Sequence, residues 1–468
     1  VLVAVLLCLT FVMTQCGGRG AASTEAPPVD PDAEESVVMG SLFVKLGRAF
    51  EGMDPGSSAQ LLEMLDDYAE DSTDPLTDNV RTAIVAAELS GADAAVARLE
   101  AVEKRVNDER VSAADPLAPE KADAVEFDVS LLRGIYGGNL DGLNEADREH
   151  LVGRHGRLGQ IALSFGRPAS DPDRAALVGG GGTLIAVLVA FLGLILLVVP
   201  ASLVCATIAI VKVSGRRVRP AFVPPTPGGS VYIEMLAVFL VTFILLKLAI
   251  GAVGMIMGPD ADMGTLTMIG LIAQWPVALV TLWPLLRGVP LAEHARRVGW
   301  TRGKGMGREI LAGIFGYLAG LPLIFIAFVI TIIVVIIQKA IEVAAGGEPT
   351  PPSNPILEIA TSGGLVPVLL FALATIWAPF TEETIFRGSL FRHLRSRRGI
   401  FLSSAVSALF FGLIHPYSPA LMLPVIMLGF NFALMREWRG SLIAPITAHA
   451  LHNATIMTLM FAVLSQTG

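Results

Sequence analysis

The chain has 468 residues, of which 53% are hydrophobic and only 16% charged, with a net charge of -8. A soluble domain carries about 25% charged residues, so a purely soluble globular chain is excluded. Acidic residues crowd the first third, and Lys/Arg fall in short loops of the last two thirds. No basic face or arm exists to neutralise phosphates, which excludes nucleic acid as a partner.

Val1 to Met13 is an apolar run too short to span a bilayer. Residues 1–16 read as a signal-like segment. Cys16 is a candidate lipid-attachment site, against which stands the bulky Gln15 before it. Cys8 and Cys205 lie in apolar runs and read as small hydrophobes. No cysteine pair has metal-like spacing. Residues 17–36 read as an acidic, Pro-rich linker, ending in Ala-Pro-Pro-Val-Asp-Pro-Asp-Ala-Glu-Glu-Ser.

Residues 37–177 read as a soluble, Ala-rich helical domain. Leu61, Leu62, Met64 and Leu65 fit an amphipathic turn, as do Val80, Ile84, Val85 and Leu89. Ala92 to Val106 is helical by propensity. Breaks fall at Asp74-Pro75, Asp115-Pro116 and Gly137-Gly138. The successive helix pairs resemble tetratricopeptide-like hairpins without a repeat signature, and an irregular bundle is the plainer reading. With no catalytic motif here, binding of a protein partner is the default role.

Membrane sequence begins after the Gly179 to Gly182 hinge, in a segment 178–364 followed by a core at 365–468. Apolar stretches occur at about 183–211, 231–256, 265–286, 309–338, 364–386, 400–415, 420–436 and 442–464. The expected fold is all-α, a polytopic membrane bundle of about eight spans. Basic loops follow the first, third, fifth and seventh stretches, at Lys212–Arg219, Arg287–Arg308, Arg387–Arg398 and Arg436–Arg439. By the positive-inside rule these loops are cytoplasmic. Residues 17–177 are then extracytoplasmic, and the chain is a multi-pass protein of the cell (inner) membrane.

Ionisable groups at membrane depth are functional by default. They concentrate in the last spans: Glu382, Glu383 and Arg387; His415; and His449, His452 and Asn453. Glu383 and Arg387 are i and i+4, the orientation for an ion pair. Adjacent helical residues point about 100° apart, so Glu382 is left to face the interior as a candidate general base. His449 and Asn453 share a helix face and suit either hydrogen bonding to an oxyanion or, for the imidazole, a metal. Each signal has a plain structural explanation alone: a charged helix end, a helix-terminal His, an interhelical hydrogen bond. Their combination in consecutive spans favours a site.

Ala378-Pro379-Phe380-Thr381-Glu382-Glu383 through Phe386-Arg387-Gly388, Phe411 to His415, and His449 to Asn453 match the order and spacing of three motifs. They resemble the EExxxR, FxxxH and HxxxN motifs of the CPBP family, the CAAX proteases and bacteriocin-processing enzymes also called Abi. The resemblance covers about Leu365 to Phe461. It implies an intramembrane endopeptidase acting on a membrane-associated protein or peptide. Glu382 would activate water, His415 would help hold it, His449 and Asn453 would stabilise the oxyanion, and Glu383 and Arg387 would brace the site. A zinc ion on Glu382, His415 and His449 is the alternative, although no HExxH motif is present. One tension remains in this reading. Glu382 and His449 lie within about 9 Å of the cytoplasmic edge of their spans, whereas His415 ends the sixth span far from it. Competing readings are a non-catalytic membrane adaptor with the same fold and a transporter; no internal symmetry supports the latter.

Overall fold

The computed structural model describes residues 31–51, 57–70, 72, 74–110, 117–168, 170–227, 231–258, 263–344, 359, 364–415 and 417–464. The signal-like segment, with Cys8 and Cys16, lies outside them. Among the described residues every regular element is helical, so the fold is all-α. The chain divides into two compact units, with the boundary between Leu192 and Gly193.

The first unit contains α1 (Pro31–Glu51), α2 (Ser57–Glu70), α3 (Pro75–Ser90), α4 (Ala92–Arg110), α5 (Pro119–Tyr136), α6 (Glu145–Leu163) and α7 (Pro172–Val178). Part of the stretch read as linker is helical, because α1 already starts at Pro31. Helix starts follow local chemistry. Asp74 and Asp171 cap α3 and α7, each with Pro at the first helical position. Asn144 and Asp147 form a capping box on α6. Helix α3 packs against α1, α2, α4, α5 and α6. A solenoid repeat touches only its sequence neighbours, so this unit is a bundle around α3.

Its centre is polar. The fully buried Asp128 accepts from Arg154 Nε at 2.5 Å, pairs with His150 Nε2 at 2.7 Å, and lies 3.3 Å from His155 Nε2. Burial pushes the Asp128 carboxyl up, but His155 and Arg154 outweigh it and hold it below the ordinary value. Burial lowers the His155 pKa despite Asp128. Both groups bind fewer protons folded than unfolded, so acid favours unfolding. Stability is expected to fall as pH drops below the ordinary histidine value of 6.5 and again below the ordinary aspartate value of 3.8. Hydrogen exchange across α5 and α6 in the full chain, corrected for intrinsic rates, checks this. An opening free energy unchanged between about pH 7.5 and 5 would contradict it.

The second unit holds most of α8 (Gly181–Ser214), then α9 (Val231–Met257) and α10 (Met263–Gln274). Helix α10 runs on through a 3-10 segment, Trp275–Leu282, to Leu286. There follow α11 (Leu291–Val298), α12 (Met306–Ala344), α13 (Val366–Arg395), α14 (Ile400–Leu413), α15 (Met422–Arg439) and α16 (Ile443–Leu464). Five helices are long and apolar enough to cross a membrane: the α8, α9, α10, α12 and α13 segments. Helix α14 is apolar but short. Its 14 residues reach only about 21 Å at 1.5 Å per residue. The chain is a multi-pass membrane protein.

The four basic segments meet at one end of this unit. Ala221 N donates to Glu437 O at 3.1 Å, and Arg395 pairs with Glu437 at 2.9 Å. Arg439 pairs with Glu309 at 2.6 Å, and Leu442 N donates to Gly299 O at 2.9 Å. Each of the eight apolar helices therefore has one terminus near this end. Helix α13 lies at the centre: 56% of its apolar window is buried, against 11–22% for the other four.

Helix α12 packs against α15 and α16 through small residues. A Cβ on Gly313 would meet Ala444 O at 2.5 Å, and one on Gly320 would meet Asn431 Nδ2 at 2.0 Å. Asn431 Nδ2 donates to Gly316 O at 3.1 Å.

Candidate active site

Helix α13 extends beyond Phe386, where the apolar stretch was expected to end, to Arg395. Arg387 is fully buried inside it and does not belong to the basic loop. The reason is local pairing: its charge is met by Glu383 one turn earlier, so the helix continues to the ion pair of Arg395 with Glu437. This removes the tension in depth between Glu382 and His415, while His449 still lies about 9 Å along α16 from Ile443. Glu382 lies 13 residues above Arg395, and His415 lies 15 above Ile400. Both stand about 20 Å from the basic end.

Two stretches of α13 are π-helical, Leu373–Trp377 and Thr384–Phe391. Such widened turns occur often at functional sites. In the first, Ala378 N–H bonds Leu373 O, five residues back. The next donor in that register would be residue 379, which is Pro379 and has no N–H. The carbonyl of Ala374 is thereby released, and Asn453 Nδ2 of α16 donates to it at 2.7 Å. One amide N–H of Asn453 therefore anchors α16 to α13, and the second remains for other work.

The motif side chains converge. Glu383 Oε1 accepts from Arg387 Nη1 at 2.9 Å and from His449 Nδ1 at 3.0 Å. Arg387 Nη2 also donates to Gly429 O at 2.8 Å, and its guanidinium lies 4.4 Å from the Phe411 ring centre and 5.3 Å from that of Phe432. His449 stacks on Phe432 with centroids 5.1 Å apart. Its Nε2 lies 3.9 Å from Glu382 Oε2. That carboxylate oxygen is buried and has no protein partner. Phe411 makes edge contacts with both His415 and His449, at 4.8 and 5.8 Å. His415 Nδ1 donates to Phe411 O at 2.7 Å. When neutral, His415 therefore carries its proton on Nδ1 and presents Nε2 as an acceptor. All six predicted side chains thus lie on the mutually packed α13, α14 and α16 region.

Other residues of the site carried no motif. Trp300 Nε1 donates to Thr384 Oγ1 at 3.0 Å. His452 bonds Tyr317 of α12 at 3.2 Å. Gly429 allows the guanidinium in: a Cβ there would stand 3.0 Å from Arg387 Nη2 and from Phe411 Cδ1. Gly429→Ala is expected to destabilise the unit by about 1–3 kcal/mol through overpacking. Thermal unfolding in detergent measures it, and an unchanged midpoint would contradict the geometry.

Among the described residues, no three His, Cys, Asp or Glu side chains gather in a set that would hold a metal ion.

Fold and site together define a multi-pass helical membrane protein with a buried Glu–His–Arg cluster in its last helices. Residues 364–455 match the family model described as Type II CAAX prenyl endopeptidase Rce1-like. The chain is 30% identical over 91 residues to the "Putative membrane peptidase YdiL" of Bacillus subtilis (strain 168), covering 19% of this chain and 37% of that protein. No solved structure matches. Both matches are confined to the C-terminal segment that carries the three motifs, and there the chain is similar to membrane peptidases of this kind.

Proposed function

We propose that this protein is an intramembrane endopeptidase of the CPBP type, hydrolysing a peptide bond in a membrane-associated protein or peptide with a water activated by Glu382. The observation that carries this reading is the buried, unpartnered Glu382 Oε2 set 3.9 Å from His449 Nε2. That gap is too long for a direct hydrogen bond and suits a water bonded to both groups.

The charges support the reading. Glu382 and Glu383 stand against Arg387, and an imidazolium at His449 would balance them. Its Nδ1–H goes to Glu383, leaving Nε2–H toward the water. His415 Nε2 is an acceptor for the second water proton. On attack, Glu382 takes the proton as the water oxygen bonds to the carbonyl carbon. The oxyanion receives His449 Nε2–H and the second N–H of Asn453. Glu382 then passes the proton to the leaving nitrogen as the C–N bond breaks, and a carboxylic acid and an amine result.

The basic end would face the cytoplasm. The first unit would then lie outside it, across the inner membrane, where its helices are available to recruit substrates or partners. The test compares protein N-termini in membranes of cells carrying wild-type or Glu382→Gln protein. Termini lost in the variant support the proposal. An identical set in both would leave a membrane adaptor of the same fold.

A further inference from the structure

Tyr317 and His452 are buried or half-buried polar groups beside the site that the proposed chemistry does not use. Tyr317 belongs to α12, outside the matched segment 364–455. It is brought in by the close approach of α12 to α15 and α16 at Gly313, Gly316 and Gly320. Its ring packs with Leu428, Phe432, Met435 and Ala448. Phe432 is the ring on which His449 stacks, so one aromatic wall serves both histidines. His452 follows His449 by three residues and shares its helix face. The Tyr317 hydroxyl lies 3.2 Å from His452 Nδ1. A phenol is the stronger donor of the two and an imidazole nitrogen the stronger acceptor, so the proton belongs on the oxygen. This leaves neutral His452 with its proton on Nε2.

We propose that Tyr317 is a positioning residue that fixes His452 as the Nε2–H tautomer, which presents a neutral donor to a backbone carbonyl of the bound peptide. The catalytic use of this dyad rests on the endopeptidase reading above. It fits the engagement of the neighbouring donors: His449 Nδ1 is held by Glu383 and one N–H of Asn453 by Ala374. A third donor one turn along α16 would align the scissile bond. No new covalent step is involved; the dyad donates and keeps its protons.

The experiment has two arms on the full chain in detergent or liposomes. In the first, nitrogen-15 histidine spectra, assigned with His452→Gln, report the tautomer. Wild-type protein is expected to show a protonated Nε2 and a hydrogen-bonded, unprotonated Nδ1, and Tyr317→Phe a mixture. In the second arm, the cleavage of a substrate found through Glu382→Gln is followed. Tyr317→Phe is expected to lower kcat about tenfold with KM within about twofold, and His452→Leu to lower kcat about 10²–10³-fold, the cost of one oxyanion-type donor. His452→Gln, which keeps a donor, should recover part of that loss. A protonated Nδ1 in wild type, or a tautomer unchanged in Tyr317→Phe, overturns the dyad. Rates unchanged in Tyr317→Phe and His452→Leu overturn its catalytic use. If Glu382→Gln alters no termini, the endopeptidase reading fails while the spectra still judge the dyad.

Discussion

Arg387→Ala is expected to destabilise the membrane unit by about 3–5 kcal/mol, the effect of removing one partner from a buried ion pair. The guanidinium is fully buried and touches three different segments. It bonds Glu383 on its own helix and Gly429 O on α15, and it lies over the Phe411 ring of α14. Without it Glu383 keeps a buried charge with only His449 to meet it, and α15 loses a link to α13. The loss therefore falls on the charge left behind more than on the contact removed. Replacing both charges, as Glu383→Gln with Arg387→Met, should destabilise less than the sum of the single changes, because no lone charge remains. Denaturant or thermal unfolding in a fixed detergent measures Arg387→Ala, the double variant and its two single changes. An Arg387→Ala protein within about 1 kcal/mol of wild type would contradict a load on this pair.

The contrast between what was readable beforehand and what was not follows the range of the interactions. The ion pair of Glu383 with Arg387 and the shared face of His449 and Asn453 are i, i+4 relations. Helical geometry imposes them wherever a helix forms, so the sequence carried them. The basic loops were equally legible, since positive charge concentrates on one side of a membrane protein, and the structure gathers all four at one end. The link from Asn453 to Ala374 was not legible. It depends on a widened turn next to Pro379 and on the approach of a helix 79 residues away in sequence. The extent of α13 was misread for a related reason. Arg387 resembles a loop arginine until its partners are known, and only tertiary pairing makes its burial tolerable. The apparent mismatch in depth between Glu382 and His415 came entirely from that misplaced helix end. Tyr317 carried no signal, because a tyrosine in an apolar helix is ordinary until a partner stands opposite its hydroxyl.

Glu382→Gln is expected to lower the cleavage rate by about 10²–10⁴-fold, the usual contribution of a general base, while leaving the unit folded. The two carboxylates make a built-in comparison. Glu383 holds Arg387 and His449, so any change there disturbs packing and chemistry together. Glu382 Oε2 has no hydrogen-bond partner in the protein, so an amide of the same shape removes the charge without breaking a hydrogen bond at that oxygen. Stability should therefore hold or rise, since a buried carboxylate oxygen without a hydrogen-bond partner is unfavourable. Arg387→Ala, in contrast, should lose activity through the fold. Plotting rate against unfolding midpoint for the two variants separates catalysis from scaffolding. Glu382→Gln should fall far below wild type in rate at an equal or higher midpoint. A rate within about twofold of wild type would mean that the water is activated elsewhere or that no hydrolysis takes place here. A rate lost only together with the fold would reduce Glu382 to a structural charge.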